Sequence, residues 1–259
     1  DYKVTGVQTC ALPISACAFV SGARDRIGAA APSRQEPMSR VLLTRTVPCS
    51  GPVHPGAVAL ALVQTIAPHA TARPPQLVAT AAEIAAAAAA VRRAGVDPAR
   101  PFTVLVLGRA DDPRSLQECA IRAEQARGGP LLLLAGPAES DVPVPQSVPV
   151  WRQARGELRL LVGLGVLLRS VGGDVVTADQ GPAHVLAAAG ARVTVLFGPQ
   201  DPTRTAPPAA QVVLHPSPPP CMPCRSRTCR HERGPICMSF ARAEGVCPPT
   251  PGWLAAPGP

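Results

Sequence analysis

An aspartate, a glycine–proline turn and a histidine stand together at residues 179–184 (DQGPAH), directly after an apolar run at 175–177. A short strand handing over to a helix through such a turn is where open α/β sheets bind phosphorylated ligands. Asp179 follows the strand end, Gln180 and Gly181 form the turn, and Pro182 suits the first helical position, which needs no amide donor. The amides of Gln180, Gly181 and Ala183 are expected to face outward at the helix N-terminus and to accept a phosphate. Gly181 leaves room for close backbone approach. His184, on the first turn, can donate to a phosphate or sugar oxygen. Taken alone, such an aspartate is more often a helix cap and such a histidine structural, so both readings stay open.

Three further groups of residues could serve the same chemistry. In 196–207 (LFGPQDPTRTAP), Gly198 marks a tight turn, Arg204 can pair with phosphate, and Asp201 reads as a loop cap. In 102–115 (FTVLVLGRADDPRS), Arg109 and Arg114 offer guanidinium groups. Glu139, just past LLLLAGPA, falls where a carboxylate can take a ribose hydroxyl. Different chemistry is offered by Cys221, Cys224, Cys229 and Cys237, spaced C-x2-C-x4-C-x7-C with His231 between the last two. Thiolates at such spacing can enclose a tetrahedral zinc ion, and reduced structural thiols or a disulfide are the alternatives. There is no G-x-S-x-G elbow and no P-loop. Gly163 and Gly165 lie inside an apolar helical stretch without a third glycine, which points to helix packing rather than a dinucleotide fingerprint.

The elements that must hold these residues alternate. Thr80 and Glu83 form a capping box ahead of an alanine-rich helix that ends near Gly95. Residues 102–107 read as a buried strand, and a helix is expected from Asp111 or Asp112 to about 127. Strand 131–135, helix 157–170, strand 175–177, helix 182–189 and strand 193–197 complete the series. Alternation of this kind predicts an α/β fold around a Rossmann-like parallel sheet. Before it, residues 1–38 show no sustained period and are expected to be irregular. Residues 40–48 (RVLLTRTVP) read as a strand, 56–66 as a helix, and 72–75 (ARPP) as a linker. Residues 4–14 (VTGVQTCALPI) look like a translated sequencing adapter, which implies that the reading frame enters the gene partway through.

Composition narrows the function classes. The chain has 259 residues, 46% of them hydrophobic but only 3% aromatic, so its core must be built mainly from Leu, Val and Ala. Its net charge of +8 comes almost wholly from arginine, Lys3 being the one lysine. A basic surface without interleaved aromatics suits anionic sugar-phosphates better than nucleic acid. No apolar stretch approaches the roughly 18 residues of a membrane span. The longest, 160–168, is broken by Gly163 and Gly165 and closed by Arg169. No apolar segment of the signal-peptide type precedes residues 11–18.

The blocks 179–184, 196–207 and 221–238, in this order and spacing, resemble the donor-nucleotide domain of glycosyltransferase family 9, the ADP-heptose:lipopolysaccharide heptosyltransferases. The resemblance covers about residues 40–246 and implies the C-terminal half of a GT-B fold, with an irregular N-terminal remnant. It divides the chain into a fragmentary stretch at 1–38, a remnant of an acceptor domain and linker at 39–75, a donor-binding domain at 76–215 and a Cys/Pro-rich segment at 216–259. The activity implied is transfer of heptose from ADP-heptose to the lipopolysaccharide inner core, with the nucleotide sugar as substrate and neither metal nor cofactor. The acceptor would sit at the inner membrane surface, with the enzyme cytoplasmic or peripheral to that membrane. In the family's block the aspartate contacts sugar hydroxyls and the turn amides contact the diphosphate, which puts Asp179, Gln180, Gly181 and His184 in the donor site. Here Gln180 stands where the family has Thr or Ser. The family's phosphate-binding lysine is absent, leaving Arg109 or Arg114 as substitutes. The family's base lies in the acceptor domain, so no catalytic residue is assigned, and donor binding without turnover is expected of this polypeptide. The cysteine block also matches the family, which makes zinc the lesser reading. The competing function is a cysteine-rich zinc-binding interaction module on a Rossmann-like scaffold, and a third is a homologue that has lost activity.

Overall fold

The computed structural model describes residues 12–31, 37–49, 54–108, 129–139, 144, 146, 148–215, 217–226, 229–231 and 236–238. The chain separates into two compact units, one of residues 1–73 with 203–205, the other of 74–202 with 206–259.

In the first unit, helix α1 (Leu12–Val20) and strand β1 (Ile27–Ala29) are followed by a 3₁₀ turn (Pro37–Leu42), strand β2 (Arg45–Val47) and helix α2 (Pro55–Gln64). The irregular chain expected over 1–38 thus carries a helix and a strand. The strand escapes a periodicity reading because it has three residues only. It is held by pairing in parallel with β2, Gly28 opposite Thr46, and by Ala29 packing with Cys49 and Val58. Arg26 secures the approach, its Nε donating to Leu42 O at 2.7 Å and its amide to Thr44 Oγ1 at 2.8 Å. In α2 the His54 ring accepts from the Gly56 amide, and Pro55 opens the helix without a donor to satisfy.

The second unit is a six-stranded sheet, all parallel, in the order β5-β4-β3-β6-β7-β8. Its strands are β3 (Thr103–Val106), β4 (Leu131–Ala135), β5 (Val150–Arg152), β6 (Asp174–Ala178), β7 (Arg192–Phe197) and β8 (Gln211–Leu214). The helices described in this unit are α3 (Ala81–Arg93), α4 (Leu158–Val171) and α5 (Gly181–Ala188); a short α6 (Pro202–Thr205) follows β7. The expected strands at 102–107, 131–135, 175–177 and 193–197 are present. Strands β5 and β8, which the sequence did not disclose, add one edge each. The helix expected from Asp111 or Asp112 to 127 lies outside the described residues.

Strand residues alternate between faces, and both faces are buried. Val104, Val106, Leu132, Leu134, Val175 and Val195 pack toward α3, α4 and α5. Leu105, Leu107, Leu133, Val176 and Leu196 face the other way and are joined there by Cys237 and Met238. Leucine and valine fill this core because the chain has so few aromatics; Phe197, fully buried, is among its largest side chains.

Glycines set how closely the helices pack. A Cβ on Gly163 of α4 would lie 2.4 Å from the Glu83 carbonyl oxygen of α3, and one on Gly165 would lie 2.6 Å from Ala189 Cβ beside α5. These two glycines serve helix packing, as their setting in an apolar helix suggests. At the end of α4, Gly172 takes the left-handed conformation (φ 72°) that closes the helix.

The capping box at α3 forms as expected. Thr80 Oγ1 accepts from the Glu83 amide at 3.2 Å, and Glu83 Oε2 accepts from the Thr80 amide at 2.8 Å. The same carboxylate receives two hydrogen bonds from Arg159 of α4, at 2.6 and 2.7 Å, while Arg159 also donates to Val78 O. Arg159, then the Thr80 amide, hold the Glu83 carboxyl down to about 2 from its ordinary 4.5. Because folding lowers this pKa, the bridge stabilises the fold above pH 4.5 and fades as pH falls towards 2. Thermal unfolding across that window is expected to show a steeper loss of Tm in the wild type than in Glu83→Gln. Parallel curves would remove Glu83 from the acid response.

Candidate functional site

The sheet order reverses at its centre. From β3 the chain builds outward through β4 to β5, then returns to β6 on the opposite side and continues to β8. Between β3 and β6, at their carboxyl ends, the connections diverge and leave a crevice, the place where ligands bind in open parallel sheets. A cleft of about 430 Å³ occupies it. Val106 and Leu107, Leu134 and Leu161 form its apolar part; Gly136–Glu139, 153–158 and Gln180–Pro182 form its rim.

Each rim segment is shaped locally. After β4, Gly136 and Pro137 turn the chain into a 3₁₀ turn, with the Glu139 amide donating to Gly136 O at 3.0 Å. The Glu139 carboxylate folds back over Gly136, where a Cβ would come within 2.7 Å of Oε2. The loop after β5 is braced from within. Gln153 donates through its amide to Ala135 O and through Nε2 to Glu157 O, both at 2.8 Å. The Ala154 amide donates to Glu157 Oε2 at 2.9 Å, so this carboxylate is spent on the loop itself.

The third segment is the turn into α5. Gln180 is extended (φ −153°, ψ 167°) at the cap position, yet its side chain makes no cap bond. It turns instead towards the sheet, where Nε2 donates to Thr177 Oγ1 at 2.9 Å and to Val106 O at 3.3 Å. Gly181 is exposed, and no atom lies within 4 Å of where its Cβ would be. The amides of Gln180 and Gly181 precede the first intrahelical acceptor. The Ala183 amide differs from expectation: it donates to Gln180 O at 3.1 Å, because the chain already closes a turn at the helix start. Two amides, not three, are therefore offered. The first turn of α5 carries no acidic residue to oppose an anion there.

The structure brings Glu139, Gln180 and Gly181 to one cleft. Asp179, half-buried and engaged in an interaction of its own, is next to it in the chain. His184 is exposed and lies on a different groove, of about 700 Å³, between residues 74–79 and α5. Arg204 is half-buried on α6. Arg109 and Arg114 lie outside the described residues. Asp201, read as a cap, pairs with Arg225 at 3.3 Å. Residues Gln153, Arg155 and Glu157 of the cleft were not foreseen; Gly156, at φ 85°, was the available signal of a tight loop before the apolar helix.

Of the four cysteines, Cys221, Cys224 and Cys229 are exposed, Cys237 is buried, and none is disulfide-bonded. Burial, and then the neighbouring Cys224, Cys229 and Cys221, push the Cys237 thiol up to about 11. Among the described residues no three His, Cys, Asp or Glu side chains are arranged to hold a metal ion. Cys237 and Met238 instead cover Gly198, where a Cβ would lie 2.2 Å from Met238 Sδ.

A parallel sheet in this order, with a cleft at its reversal point, has the Rossmann-like architecture of GT-B glycosyltransferases. Residues 161–234 match the family described as Glycosyltransferase family 9 (heptosyltransferase). Among solved structures, it is similar to the glycosyl transferase family 9 protein from Veillonella parvula DSM 2008, with a TM-score of 0.59 and 15% identity over 77% of this chain and 58% of that one. It is also similar to E. coli ADP-heptose lps heptosyltransferase II, with a TM-score of 0.53 and 18% identity over 79% of this chain and 66% of that one. At those identities the likeness is one of fold, and the chain spans less than two thirds of either structure. No curated protein matches the sequence. Among the described residues no helix is long and apolar enough to cross a membrane.

Proposed function

We propose that the cleft between β3 and β6 binds the nucleotide diphosphate of an ADP-sugar, and that the sugar is a heptose destined for the inner core of lipopolysaccharide. The observation that carries this reading is the convergence of Glu139 with the Gln180–Gly181 turn on one cleft at the sheet's reversal point. The amides of Gln180 and Gly181 meet the diphosphate, favoured by the positive end of α5. The Glu139 carboxylate accepts from a ribose hydroxyl. Val106, Leu107, Leu134 and Leu161 exclude water from the buried side of the ligand. Asp179, beside the turn, takes sugar hydroxyls. During transfer the bond from the sugar to the diphosphate breaks, and the negative charge gathering on the leaving diphosphate is stabilised by the same fixed amides. The acceptor hydroxyl and its base are supplied from outside this cleft, at the inner face of the inner membrane.

Calorimetric titration of the full chain with ADP-heptose and with ADP tests this reading. Both are expected to bind saturably, and Glu139→Ala to weaken both by about tenfold through loss of a charged hydrogen bond. An absence of saturable binding, or equal binding by the Glu139→Ala variant, would overturn the assignment.

A further inference from the structure

Gln180 holds a cap position without capping. Asp, Asn, Ser and Thr are favoured there because a short side chain reaches the amides of the first turn. The glutamine side chain is spent in the opposite direction, across the seam between β3 and β6. The β3–β6 ladder ends with Leu105 opposite Val176, and the carbonyl just beyond it, that of Val106, accepts from Gln180 Nε2. The second acceptor, Thr177, is fully buried, and its hydroxyl donates onward to Ala178 O at 3.0 Å. A chain of donors therefore runs from Gln180 through Thr177 to Ala178 and ties the turn to both strands. Only a primary amide at the end of a two-carbon stem offers two N–H donors at this reach.

We propose that Gln180 is a positioning residue: its side-chain amide fixes the turn so that the amides of residues 180 and 181 meet the anionic part of the ligand. This rests on the reading that the cleft takes a nucleotide diphosphate. A glutamine bond of merely structural value would change stability. One that aims the amides changes discrimination between ligands with and without phosphate.

The experiment titrates ADP and adenosine into the wild-type chain, Gln180→Met and Gln180→Glu, with amide hydrogen exchange over 178–185 on the free proteins. Met keeps the length and removes the donors; Glu keeps the shape and replaces a donor by an acceptor facing the Val106 carbonyl. Both variants are expected to lose about tenfold in ADP affinity and less than about twofold for adenosine. Exchange over 178–185 is expected to quicken while Tm stays near that of the wild type. Unchanged exchange in both variants overturns the positioning role whatever binds. So does an equal loss for ADP and adenosine. A wild type that binds no ADP, with exchange quickened in the variants, overturns the nucleotide reading and the ligand-directed part of this proposal with it. If Gln180→Met fails to fold, Gln180→Glu carries the comparison.

Discussion

Gly181→Val is expected to lower affinity for ADP-heptose by about a hundredfold while leaving thermal stability within about 2 °C of the wild type. The two halves of this result have separate causes. Gly181 lies outside the left-handed region, and its absent Cβ points into space with no protein atom within 4 Å. A Cβ at this position therefore meets no protein atom beyond its chain neighbours and the backbone of its own helix, and the backbone needs no left-handed conformation. In the proposed binding mode the side chain does meet the ligand, because it stands beside an amide to which a phosphate oxygen must approach within hydrogen-bonding distance. The branched carbons keep the phosphate off both amides of the turn, so the charged hydrogen bonds are lost together. Titration calorimetry with a parallel melting curve checks the prediction. Full affinity in a stable Gly181→Val protein would place the diphosphate elsewhere.

Gly163→Val is expected to act in the reverse sense, lowering stability by about 3 kcal/mol and Tm by about 10 °C. Here the obstacle is the backbone of α3: the new Cβ would meet the Glu83 carbonyl oxygen at 2.4 Å and its carbon at 2.8 Å. A side chain could rotate aside, but this turn cannot, since Thr80 and Arg159 both hold Glu83. The two helices must then separate along a buried interface, and the contacts of Leu164 and Leu168 with the sheet loosen with them. Valine also adds a β-branched residue to a helix interior, which reinforces the loss. Gly163→Ala should fall between wild type and Val, because it gains up to about 1 kcal/mol of helix propensity against a smaller clash. Denaturant melts of the three proteins give the ranking; a Val variant as stable as the wild type would show that α3 can move.

The parts of this architecture readable in the sequence were those dominated by a single local force. Residues 131–135 are a run of leucines and alanine buried on both faces, and no polar residue interrupts them. The Thr80–Glu83 box needs only four consecutive residues to form, so neighbouring structure cannot disguise it. Strand β5 is three residues long and follows a proline-spaced stretch, so its pairing with β4 comes from the sheet rather than from its own pattern. Strand β8 lies at the other edge with much of its surface exposed, and QVVL carries no alternation to betray it. In the site, the turn at 179–182 was legible because glycine and proline restrict the backbone. His184 was placed with it by nearness in the chain. A helix rises about 1.5 Å per residue, which carries His184 a turn away from the amides and onto another groove. The wall at 153–157 was not legible because Glu157 bonds back to the Ala154 amide at the spacing of a capping box, but Ala154 has no hydroxyl to complete the box and mark it in the sequence.

The strand order also bears on how the molecule comes to exist. Asp174 of β6 pairs with Arg192 of β7, and Thr194 of β7 with Gln211 of β8, so those pairings close short stretches of chain. Thr103 of β3 must find Asp174 across everything that lies between them. The entropy of closing a loop grows with its length, and pairings distant in sequence are slow to form. Newly made chains should therefore assemble β6 to β8 as one block and β3 with β4 as another, and join the two last. The cleft sits on that final seam, so the proposed binding site exists only once folding is all but finished.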